Sequence, residues 1–200
     1  MGEIERKWSL AEIIRLGFWT LRSRLFFRGV RLIRFPIYLR GKEYIDLGHG
    51  LTTGTGCRLE AMRIKGEDKP VLRFGDRVQL NDHVHICALK SVVIGNDVLM
   101  ASNVYISDNS HGIYKGPGQQ SSPEERPLDR SYHRADVEIG DRVWLGEGVI
   151  VMPGVTIGSG SVIGAHSVVN RSIPSDCIAV GSPAKIIKKY NHTLDKWEAV

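Results

Sequence analysis

An aliphatic residue recurs every six positions in the C-terminal half of the chain: Ile139, Leu145, Val151, Ile157, Ile163 and Val169. Four positions after the first five stand Val143, Val149, Val155, Ser161 and Ser167. No helix repeats at six. A short strand followed by a tight turn does, with one aliphatic side chain turned inward per face. Three such faces close one coil of a triangular parallel β-helix. Gly140, Gly146, Gly158 and Gly164 each follow the aliphatic residue. That position predicts a corner with positive φ or with close approach of a neighbouring backbone.

The period extends upstream. Phe74, Leu80 and Ile86 keep the six-residue step, as do Ile94, Met100 and Ile106. Ile86 and Ile94 are eight apart, which predicts a two-residue insertion near Ala88 to Lys90. The stretches Ile45 to Gly48 and Leu51 to Leu59 read as a degenerate first coil. Phase is lost between Ser107 and Val137, so residues 107–136 are expected to form a loop pushed out of the solenoid, where function concentrates. Its Gly116-Pro117-Gly118 and Ser122-Pro123 are turn chemistry.

The N-terminal segment has a different pattern. Leu10, Ile14, Phe18, Leu21 and Leu25 form an apolar stripe, and Arg24, Arg28 and Arg31 a basic one. Ser9 followed by Glu12 fits a capping box, and Pro36 stops the pattern. A helix is therefore expected from about Ser9 to Arg34. Residues 1–43 hold ten Lys/Arg against four Asp/Glu, while the other 157 hold seventeen against eighteen, so the net charge of +5 belongs to this segment. An Arg-rich amphipathic helix with aromatics suits the plane of an anionic membrane surface, or packing on the solenoid or a second subunit. Arg interrupts it too often to span a bilayer. Basic residues interleaved with large apolar ones do not suggest nucleic-acid binding.

Three unpaired cysteines (Cys57, Cys87, Cys177) argue against a disulfide framework, and no CxxC suggests zinc. Glu3 and Glu5 precede the first apolar run and no small-residue cleavage site follows it, so the cytoplasm is the expected compartment. The expected layout is a basic helical segment (1–43), a solenoid domain (44–186) with its loop at 107–136, and a C-terminal tail (187–200) with a short helix.

Leu80-Asn81, Ile94 to Val104, His111, Val143-Trp144-Leu145-Gly146, Pro153 to Gly158 and Gly181-Ser182-Pro183-Ala184-Lys185 together resemble the hexapeptide-repeat acetyltransferases. The sugar O-acetyltransferase branch is the most similar, over roughly residues 72–190. The resemblance implies a left-handed β-helix, a homotrimer with sites between subunits, and acetyl-CoA as co-substrate. It places His111 at the general base, which takes the proton of an acceptor hydroxyl as that hydroxyl attacks the thioester. An imidazole suits this task. Asn81 matches an Asn that positions the acceptor or the base across a subunit boundary. Asp82 and His83 follow it on the same turn and are acceptor-binding candidates. Asp108 is another, and either Asp108 or Asn109 is placed to orient His111.

Carried over by position, Gly146, Glu147, Ala165, Asn170, Arg171 and Lys185 are the cofactor-binding candidates. Two departures matter. Glu147 stands where the small-sugar enzymes have Ser, which puts a carboxylate near the cofactor's arm. Asn170-Arg171 replaces Thr-Lys, which keeps the phosphate-binding charge.

The long loop and basic N-terminus point to a larger or membrane-held acceptor, such as a sugar hydroxyl in a cell-surface polysaccharide or its lipid-linked precursor. N-acetylation of an amino-sugar nucleotide or an antibiotic is the second reading. A γ-type carbonic anhydrase would need a His-x4-His pair, which the chain lacks. A non-catalytic scaffold is the third.

Overall fold

The computed structural model describes residues 8–63 and 71–200; Glu3 and Glu5 lie outside them. The chain winds as a left-handed parallel β-helix with three faces. The first face stacks Gln79–Leu80, Leu99–Met100, Trp144–Leu145, Val162–Ile163 and Cys177–Val180. The second stacks Ile37–Arg40, Cys57–Ala61, His85–Ala88, Tyr105–Ser107, Ile150–Val151 and Val168–Val169. The third stacks Ile45–Asp46, Leu72–Phe74, Val92–Ile94, Val137–Ile139 and Thr156–Ile157.

Register turns the sequence period into three internal columns. They run Leu80–Met100–Leu145–Ile163–Ala179, Leu59–Ile86–Ile106–Val151–Val169 and Phe74–Ile94–Ile139–Ile157–Ile173. No member is more than 4% exposed. Each large aliphatic buried this way stabilises the fold by about 1.5–3 kcal/mol. Strands of two or three residues have no stability alone, so each coil depends on its neighbours.

The corner glycines act through close approach. A Cβ on Gly140 would lie 2.6 Å from the Ser159 nitrogen, and one on Gly146 2.7 Å from that of Ala165. Positive φ falls two residues later, at Arg142, Gly148, Gly160 and His166. At Gly158 a Cβ would meet the Ser175 Cα at 2.7 Å. Gly158→Ala is therefore expected to lower unfolding free energy by about 1–3 kcal/mol in urea titrations. Gly118→Ala, with open space around it, should stay within about 0.5 kcal/mol of wild type.

Both ends of the solenoid depart from expectation. The N-terminal helix spans Leu10–Phe26, not to Arg34, and its Ser9–Glu12 capping box is formed. It ends early because the following chain is already part of the solenoid. Leu32 bridges Thr52, Ile37–Arg40 pairs with Cys57–Ala61, and Val30, Leu32 and Ile33 are buried. The boundary expected at residue 43 thus falls inside the first coil. Ser23 Oγ accepts the Ile33 N–H at 2.7 Å and ties the helix to that coil.

The expected C-terminal helix is instead a hairpin. Lys185–Asn191 runs antiparallel to Cys177–Val180 and pairs with Lys196–Ala199. Ile186-Ile187 favours a strand, and Asn191 Oδ1 accepts the N–H groups of Thr193 and Leu194 to start the turn. The hairpin covers the last parallel edge.

The expected loop is a two-stranded arm. Asn109–His111 pairs antiparallel with Tyr132–Arg134, His111 opposite Tyr132. The arm and the insertion at residues 89–91 both leave from the corner between the second and third faces.

Candidate active site

His111 ends the first strand of the arm. Its ring packs on Tyr132, centroids 4.6 Å apart, and its carbonyl accepts the Tyr114 hydroxyl at 2.9 Å. The imidazole is exposed and borders a depression of about 320 Å³, lined also by Met62, Cys87, Tyr105, Tyr132, Met152 and Pro153. Burial raises the thiol of Cys87, which lines the same depression, above its ordinary range, which favours the thiol over the thiolate. An imidazole in such a place can accept a proton from a group that enters the depression.

Asp108 has a different place from the one expected. It is fully buried, and its carboxylate accepts the backbone N–H groups of Leu89 (2.8 Å), Lys90 (2.6 Å) and Ser91 (2.7 Å). It also accepts the Asn109 amide at 2.9 Å. The carboxylate thus holds the two-residue insertion that the broken period implied, and does not reach an acceptor. Neither Asp108 nor Asn109 is bonded to the imidazole, whose ring lies tilted at 45° against that of Tyr132.

Asn81, Asp82 and His83 form the corner between the first and second faces. Asn81 is half-buried. Asp82 Oδ1 accepts the Thr55 N–H at 2.7 Å. His83 has φ 58° and lies against Gly56 of the preceding coil. This corner is the edge of the second face opposite the arm, so one chain does not bring Asn81 to His111.

The cofactor candidates divide in the same way. Gly146, Glu147 and Ala165 share the Asn81 corner, with Gly146 tight beneath Ala165. Asn170 and Arg171 lie on the corner that carries the arm, and Lys185 opens the C-terminal hairpin. The Glu147 carboxylate is turned to the preceding coil, where it accepts the Ser102 N–H at 3.0 Å and the Asn103 amide at 2.7 Å. It repeats the corner role of Asp82.

A cluster on the second face escaped the sequence reading. Glu60 is buried, and its carboxylate receives Arg58 Nε at 2.8 Å and Nη2 at 2.9 Å, Arg40 Nη1 at 3.0 Å and His85 Nε2 at 3.1 Å. Burial pushes the Glu60 carboxyl up. The hydrogen bonds of Arg58 and His85, with the charges of Arg58 and Arg40, outweigh this and hold it below the usual range. The one available signal was polar Arg58 and Glu60 alternating with Cys57 and Leu59. Among the described residues no group of three or more His, Cys, Asp or Glu is arranged to hold a metal.

Residues 136–171 match the family model for the bacterial transferase hexapeptide, six repeats. The chain belongs to the hexapeptide-repeat acetyltransferase family. Within it, the chain is 46% identical over 196 residues to the Escherichia coli K12 protein named "Putative lipopolysaccharide biosynthesis O-acetyl transferase WbbJ", covering 98% of this chain and 97% of that one. It is 36% identical over 120 residues to the galactoside O-acetyltransferase of Lactococcus lactis, covering 60% and 54%. Among solved structures, AntD, an N-acyltransferase from Bacillus cereus, superimposes with a TM-score of 0.68 at 18% identity, over 86% of this chain and 90% of that one. That likeness shows the fold alone. The Vibrio cholerae hexapeptide-repeat acetyltransferase VCA0836, solved with acetyl-CoA, gives 0.54 at 26% identity over 92% and 80%.

Proposed function

We propose that this protein transfers acetyl from acetyl-CoA to a sugar hydroxyl in a cell-surface polysaccharide or lipopolysaccharide precursor. The observation that carries the reading is His111, held by the arm over an open depression beside the second face. Acetyl-CoA supplies an acetyl group already activated as a thioester. His111 takes the proton of the acceptor hydroxyl, and Tyr132 fixes the ring for that step. The WbbJ relative, matched over nearly its whole length, supports oxygen chemistry and the lipopolysaccharide context.

The remaining candidates fit a site shared by two copies. Asn81, Gly146, Glu147 and Ala165 on one edge of the second face, and His111, Asn170 and Arg171 on the other, complete each other when the edges of neighbouring chains meet. We take the assembly to be a homotrimer. Gly146 and Ala165 offer backbone groups to the cofactor arm; Arg171 and Lys185, both exposed, offer charge to its phosphates. Leu99 and Trp144, paired on the first face and 37% and 50% exposed, are apolar surface that a second copy would cover.

Thiol release from acetyl-CoA tests the reading against hydroxyl and amino sugars. Acceptor-dependent release with hydroxyl sugars supports it. Release with amino sugars alone would transfer the assignment to N-acetylation.

The N-terminal helix supports work at a membrane surface. Leu10, Ile14, Phe18, Leu21 and Leu25 are 59–73% exposed, beside Arg15, Arg22 and Arg24. No described helix is long and apolar enough to cross a bilayer. The protein is expected to co-sediment with phosphatidylglycerol vesicles but not with phosphatidylcholine ones. Ile14→Glu with Phe18→Glu should weaken that binding by about tenfold or more; undiminished sedimentation of the double variant would rule out this face.

A further inference from the structure

The second face carries a basic site beside the depression at His111. Its outward residues run in two registered rows, Tyr38–Arg58–His85–Tyr105 and Arg40–Glu60–Cys87–Ser107. At the N-terminal end of these rows lies a depression of about 560 Å³, lined by Ile37 to Arg40, Arg58 and Glu60. The two depressions adjoin where Glu60 pairs with Cys87 and where the rings of His85 and Tyr105 lie 5.2 Å apart.

Among the described residues the charges in the basic depression do not cancel. One buried carboxylate faces two guanidinium groups and an imidazole. Glu60 fixes both arginines without saturating them. A guanidinium has five N–H donors; Glu60 takes two from Arg58 and one from Arg40. The side chains of Arg40 and Arg58 are 73% and 46% exposed. Forked donors held in place and open to solvent are built for phosphate oxygens.

We infer that Arg40 and Arg58, held by Glu60, bind the diphosphate of a phosphate-linked sugar acceptor whose sugar lies along the second face towards His111. Arg58 stands two strand steps from Tyr105, on the order of 10 Å at strand spacing, close to the span of a sugar ring and its phosphate. This inference rests on the acetyl-transfer reading and names its acceptor class.

Titration calorimetry of the full chain with inorganic pyrophosphate tests the site without turnover. Arg40→Gln leaves Glu60 its Arg58 and His85 partners, so the fold is kept. The variant is expected to bind pyrophosphate at least tenfold more weakly. Arg126→Gln, the same charge change on the arm, should stay within twofold. Uridine diphosphate and farnesyl diphosphate distinguish a nucleotide-linked from a lipid-linked sugar by which binds more tightly than pyrophosphate.

Equal pyrophosphate affinity in wild type and Arg40→Gln, or none in wild type, overturns the inference. So does a parallel fall in CoA affinity, which would give the site to the co-substrate's own diphosphate. Acetyl transfer to neutral sugars without Arg40-dependent pyrophosphate binding sinks this inference alone. Arg40-dependent binding without transfer to any acceptor sinks the acetyl-transfer reading and leaves the anion site standing.

Discussion

His111→Ala is expected to lower acceptor-dependent thiol release by about 10²–10⁴-fold, the range that a positioned general base contributes, with CoA affinity changed less than twofold. The side chain projects from an arm rather than from the solenoid core, so its loss leaves the stacked columns intact and circular dichroism unchanged. A hydroxyl is a poor nucleophile until its proton is removed. In the proposed mechanism the imidazole at this depression takes that proton. A rate within tenfold of wild type would move the base elsewhere. The same variant tests the proposed sharing of the site. Co-expression of His111→Ala chains with Asn81→Ala chains should restore transfer, because some sites then combine an intact Asn81 from one copy with an intact His111 from the next.

The second large effect is on stability. Asp108→Ala is expected to lower the unfolding free energy by about 3–5 kcal/mol, measured from urea midpoints. The fully buried carboxylate is the acceptor for three backbone N–H groups. Removing it strands those donors at a third to a half of a typical domain's stability. Asp108→Asn should be nearly as damaging, since one of its two terminal atoms becomes a donor facing donors. A loss below about 1 kcal/mol would show that water replaces the carboxylate.

The solenoid was legible because its cause is local and repeated. Each coil buries the same kind of residue at the same step, so one period in the sequence predicts three columns in space. The eight-residue step between Ile86 and Ile94 was legible for the same reason, as a break in a regular count. What the break required was not. Asp108 read as a partner for His111 because it lies near it in sequence, yet its carboxylate meets amides seventeen to nineteen residues earlier in the chain.

The ends were misread where capping replaced repetition. The first helix-stopping signal in the sequence is Pro36, but Val30, Leu32 and Ile33 are buried in the first coil and cannot also extend a helix. The Lys- and Ile-rich C-terminus became a strand because a free edge needed pairing. The contact of Arg40 and His85 with Glu60 was hidden for a further reason: they lie twenty and twenty-five residues from it and meet it only through the register of three successive strands.

In a linear stack, opening begins at the ends. The arm that bears His111 branches between Tyr105–Ser107 and Val137–Ile139, strands flanked by further coils on both sides. Fraying at either terminus, whether the helix lifts away or the C-terminal hairpin peels off, would therefore leave the root of the arm paired on both sides. The fold roots the arm that carries His111 in its central coils and leaves the helix and the hairpin at the two ends.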